Sequence, residues 1–140
     1  MPSARQITLV RNNFRALSSQ RPDLFISVYN RQLGEDPEAA AQYDGSLRQR
    51  ARVLDGLIEL ALLSADHPTA LFATLHKMGQ DYAHYGSWRE KHPFLIQQII
   101  ETFAEATGTP WTEELAEAWD EFLYFMADGM LEGVKSSHVA

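Results

Sequence analysis

Apolar residues along this chain recur at helical spacing rather than in the two-residue alternation of strands. Ile7, Val10, Phe14 and Leu17 follow at steps of 3, 4 and 3 residues, which places them on one stripe of a first helix. Pro22 is placed to open a second helix over roughly residues 21–33, with Leu24, Phe25 and Val28 inward. Asp36-Pro37 has the form of an N-cap followed by a first-turn proline and starts a short helix to about Gln42. Ser46 followed by Gln49 has the form of a capping box. Leu47, Ala51, Leu54, Ile58, Ala61 and Leu62 then carry a long helix to about Ser64. Asp66-His67-Pro68 restarts the chain, with Leu71, Leu75 and Met78 in register up to about His84, and Tyr85-Gly86 breaks that helix. Pro93 is expected near the start of the next helix, striped by Ile96, Ile99, Ile100 and Phe103. Thr112 is placed to cap the last and longest helix, with Leu115, Trp119, Phe122 and Met126 inward. Hairpin turn signals are missing. The expectation is an all-α chain of about seven unequal helices, which suits irregular packing around a pocket better than a bundle of equal rods.

Composition narrows the function classes. The 140 residues fit one domain over 1–140, and 45% hydrophobic with 22% charged residues excludes a disordered chain. No apolar run approaches the roughly 20 residues of a membrane span. The first residues, MPSARQITLV, do not read as a secretory signal, so a cytoplasmic location is expected. With no cysteine there are no disulfides, no thiolate zinc site and no thiol chemistry. Nineteen acidic against 12 basic residues give a net charge of −7, which repels phosphate backbones and argues against nucleic-acid binding. Arg48, Arg50 and Arg52 form the one basic cluster, and as bare charge it reads as a solvated helix face. No Gly-rich phosphate loop or H-E-x-x-H occurs, and no pair of Glu-x-x-His motifs on two helices supports a di-iron site.

Several short segments, in order, resemble a known family. Gln6-Ile7-Thr8-Leu9-Val10-Arg11 with Phe14 matches a first helix. Val28-Tyr29 with Leu33 and Asp36-Pro37 is similar to an "FY..LF..DP" pattern. Met78-Gly79 and Tyr85-Gly86 are similar to "LG..H..YG", and Ala118-Trp119 with Met126-Ala127 to a final helix. The chain resembles bacterial single-domain globins and the globin domain of flavohaemoglobins over about residues 5–134. The resemblance implies a globin-like fold, a haem b cofactor, and O₂, NO or CO as ligands. It assigns Tyr29, Gln49 and Val53 to the distal side, with Arg52 as the family's basic residue and Tyr43 where most globins have a phenylalanine against the haem. Tyr85 belongs to the signature beside the proximal position.

That proximal position departs from the family. The ligating histidine of "LG..H..YG" is replaced by Tyr82, and the tyrosine that flavohaemoglobins place behind it aligns with His92. The acidic member of the proximal network aligns with Val134. The family's nitric oxide dioxygenase activity is therefore not carried over, and no reductase domain is expected to follow.

Three readings of the pocket stay open. In the first, Tyr82 ligates ferric haem as a phenolate with His92 as hydrogen-bond donor. An unperturbed phenol titrates near ~10, so the iron's charge must favour ionisation. The outcome would be ferric-haem carriage, sensing or modest peroxide chemistry. In the second, His84 or His92 holds the iron, with His76 the weaker candidate; His84 lies about 200° around a helix from Tyr82 and His76 about 240°. The third is a haem-free globin-fold sensor or interaction module. Each residue also has a plain structural reading: Tyr29 as a half-buried tyrosine, Gln49 as a capping-box member, Arg52 as a solvated arginine. Apolar residues from Trp119 to Leu131 exceed one stripe and provide either core or a homodimer face.

Overall fold

Ser3 sits in extended conformation ahead of α1 (Ala4–Ala16). Its hydroxyl accepts a hydrogen bond from Gln6 N at 3.1 Å, and Ser3 N donates to Gln6 Oε1 at 2.9 Å. This reciprocal capping box satisfies donors that a helix start leaves open. The chain continues through a short 3₁₀ turn, Ser18–Gln20, into α2 (Asp23–Glu35), α3 (Leu47–Ser64), α4 (Pro68–Asp81), α5 (Trp88–Thr107) and α6 (Glu113–Val139). This computed structural model describes residues 1–21, 23–35, 46–81 and 88–139, the side chains of 88–93 and 137–139 excepted. Among the described residues there are six α-helices and no strand. The short helix expected over 36–42 and the break at Tyr85-Gly86 lie outside them.

Helix boundaries follow local chemistry. Thr112 Oγ1 accepts from Leu115 N at 3.1 Å and caps α6 as its position predicts. α4 opens at Pro68, where a missing N–H costs no intrahelical bond. At α3, Ser46 Oγ accepts from Gln49 N at 3.4 Å, but no return bond from the Gln49 side chain completes the box. α5 differs more. It begins at Trp88, so Pro93 falls inside the helix rather than at its start and forgoes one backbone bond. α5 ends at Gly108, whose φ of 71° is the left-handed conformation of a helix stop, with its N–H donating to Ala104 O at 3.0 Å.

The core centres on an edge-to-face aromatic cluster from four helices. Phe14, Phe25, Phe103, Trp119 and Phe122 pack with ring centroids 5.0–6.5 Å apart. Trp119 is fully buried, and its Nε1 donates to Asn13 Oδ1 at 2.9 Å. Asn13 Nδ2 in turn donates to Thr107 Oγ1 at 2.9 Å, so a buried amide stitches α1, α5 and α6. At the edges, Arg11 joins α1 to the end of α3 through Leu62 O at 2.9 Å and Asp66 at 3.1 Å. Arg31 joins α2 to α5 through Glu105 at 2.5 Å and Glu101 at 3.5 Å. The hydrogen bond to Glu105 is the main cause of the Arg31 guanidinium's value lying above the ordinary one.

Candidate functional site

α3 and α4 leave the turn at residues 65–67 as the two walls of a cleft of about 620 Å³. Arg52, Val53, Gly56, Leu57 and Leu60 line it from α3, and Ala73, Thr74, Lys77, Met78 and Asp81 from α4. Both sets follow the same i, i+1, i+4, i+5, i+8 spacing, which is one face of a helix. The volume lies within the range of small-molecule and cofactor sites. Leu57 and Met78 are buried, Val53 is half-buried, and Leu60 is exposed at the rim. Gly56 has no atom within 4 Å of where a Cβ would stand, so its lack of a side chain keeps this part of the α3 wall open.

Polar groups gather at the rim. Lys77 Nζ pairs with Asp81 Oδ1 at 3.2 Å, both exposed. Arg52 is exposed and makes no ion pair or hydrogen bond among the described residues. Ser64 Oγ and Thr74 Oγ1 meet at 3.0 Å and pin the two walls together near the turn.

α3 is anchored on another side by Asp55. Its Oδ1 lies 3.5 Å from Arg21 Nη1, and the Arg21 guanidinium stacks 3.6 Å over the Phe14 ring. Burial raises the Asp55 carboxyl above its ordinary value, Arg21 pulls it down, and Glu59 adds a smaller upward push. Asp55 Oδ1 and Arg21 Nε are both buried without a hydrogen-bond partner.

No protein-family model matches the chain. A flavohemoprotein of Xylella fastidiosa is 24% identical over 129 residues, which is 90% of this chain and 32% of that protein. The chain thus spans about a third of the length of the curated relatives it matches. Among solved structures, a bacterial globin from Campylobacter jejuni superposes with a TM-score of 0.80 at 15% identity, covering 99% of this chain and 100% of that one. An engineered carbene transferase from Rhodothermus marinus gives 0.76 at 25% identity, over 99% and 96% of the two chains. The haemoglobin of the botfly Gasterophilus intestinalis gives 0.81 at 9% identity, over 95% and 99%.

The chain has the globin fold. The structure places Arg52 and Val53 on the cleft. Gln49 lies one turn earlier on α3, exposed and outside the cleft lining. Tyr29 is half-buried on α2 and packs against the core. Val134, at the position the family gives to an acidic residue, is buried on α6. His92 lies in α5, with its side chain outside the described set. Tyr43, Tyr82, His84 and Tyr85 also lie outside the described residues.

Periodicity missed several cleft residues, among them Gly56, Leu60, Lys77 and Asp81. A signal for Gly56 was available: a glycine placed i+3 and i+4 from Val53 and Arg52 shares their helix face and leaves space there. Lys77 and Asp81 carried none, because an i, i+4 ion pair reads as any solvated helix face.

Proposed function

We propose that this globin binds haem b in the region bounded by α3 and α4, with an atypical proximal side, and serves to bind or sense a diatomic gas or to carry ferric haem. The observation that supports this most is the cleft itself: apolar walls at Val53, Leu57 and Met78, with Arg52 free of any described partner at the rim. That combination fits a flat, largely apolar group whose acid substituents reach solvent. The names of the relatives support the same reading, since they include a flavohemoprotein and a putative nitric oxide dioxygenase.

In this reading Val53, Leu57 and Met78 hold the faces of the macrocycle and Arg52 pairs with a propionate. Tyr29 and Gln49 supply distal hydrogen bonds, and Tyr43 and Tyr85 flank the group. Tyr82 is the metal ligand, with His92 donating to its phenolate; His84 and His92 are the alternative ligands. Bound haem would supply an iron centre able to take a diatomic ligand, and a phenolate from Tyr82 would favour its ferric state.

Hemin titration of variants tests the assignment. Tyr82→Phe is expected to abolish saturable uptake while His84→Ala and His92→Ala retain it; unchanged uptake in Tyr82→Phe would sink the tyrosine ligand. Arg52→Ala is expected to weaken uptake by about two- to fivefold, the value of a solvent-exposed ion pair.

A second reading, a haem-free globin-fold interaction module, is favoured by the exposed Leu60, Leu63 and Phe72 on α3 and α4. Failure of the wild-type chain to take up hemin would select it.

A further inference from the structure

α4 lies so close to α6 that three glycines form the contact. A Cβ at Gly79 would overlap the backbone carbonyl of Met130 on α6, and one at Gly133 would overlap the backbone carbonyl of His76 on α4. A Cβ at Gly129 would lie 2.8 Å from the Cβ of Leu75. In the first two cases the obstacles are main-chain atoms, which no rotamer change moves aside, so the helices would have to part. Gly34 and Gly56, by contrast, face open space. Glycine is disfavoured in a helix interior, yet Gly129 and Gly133 sit well inside the 27 residues of α6. His76 Nε2 and Ser136 Oγ, 3.0 Å apart, continue the same seam.

The opposite side of α4 is a wall of the cleft. Leu75, His76 and Gly79 meet α6, while Thr74, Lys77 and Met78 face α3. Any outward step of α4 from α6 is therefore a step into the cleft.

We propose that Gly79, Gly129 and Gly133 are positioning residues that set how deeply α4 seats on α6 and thereby the width of the α3–α4 cleft. The ligand consequence rests on the haem reading; the geometric one does not. Interiors are close-packed, so the displacement is carried across α4 rather than absorbed within it.

The chain has no cysteine, so introduced pairs take spin labels only where they are placed. In the haem-free protein, labels at Glu59→Cys and Lys77→Cys report the cleft, and labels at Lys77→Cys and Lys135→Cys report the seam. Gly133→Ala is expected to lengthen the seam distance and shorten the cleft distance, whereas Gly34→Ala changes neither. Gly129→Ala, the mildest clash, should shift both in the same directions by less, and it decides the matter if Gly133→Ala loses its helical circular dichroism. Unchanged distances in the folded variants would overturn the proposal. If the wild type takes up hemin, Gly133→Ala should weaken that uptake about tenfold or more and alter the ferric spectrum, while Gly34→Ala leaves both intact. A wild type that takes up no hemin removes the haem reading, and the label distances still decide the seam.

Discussion

Asn13 is a buried amide with both ends in use, accepting from Trp119 Nε1 and donating to Thr107 Oγ1. Asn13→Ala would leave the indole N–H unpaired in the core, which costs about 2 kcal/mol of stability. Urea unfolding checks this, and an unshifted midpoint contradicts it. Asp55 gives a pH signature instead. Its carboxyl is raised by burial, so the native protein holds that proton more tightly than the unfolded chain. The associated stability is complete below the unfolded value of about 3.9 and is lost as pH rises through the higher folded value. The difference in unfolding free energy between Asp55→Asn and wild type should therefore move in the variant's favour as pH rises across that window. A pH-independent difference contradicts the account. Neither role is visible in the sequence, because Asn13 and Asp55 find their partners 106 and 34 positions away.

Elements whose ends carry their own chemistry are legible in the amino-acid sequence. Thr112 ahead of α6 and His67-Pro68 ahead of α4 mark those starts, because each places a capping oxygen or a missing donor where a helix leaves donors open. Thr112→Ala should destabilise the protein by about 1 kcal/mol in thermal or urea unfolding, and a change near zero would mean that tertiary packing alone holds the start of α6. Pro93 misleads for a physical reason. Proline favours the first helical turn because its missing N–H costs nothing there, but α5 already starts at Trp88 and Pro93 is its sixth residue, where one backbone bond is forgone. The Ser46–Gln49 box is half made because the Gln49 side chain remains in solvent.

At the scale of the molecule, helical periodicity separates inward from outward faces but does not say which two faces leave a gap. The fold followed from the order of several weak segments, and the structural likenesses bear it out. The cleft was only partly legible: Arg52 and Val53 were anticipated through family resemblance. Gly56 and the α4 wall emerge only when α3 and α4 are set against each other. What the cleft holds is the central question. The most direct measurement is the absorption spectrum of the purified chain during hemin titration, followed by dithionite and CO. The account predicts saturable, stoichiometric uptake with a ferric spectrum carrying phenolate charge-transfer character and a weakly held reduced form. A Soret band no different from that of free hemin would contradict it and leave a globin fold with another occupation.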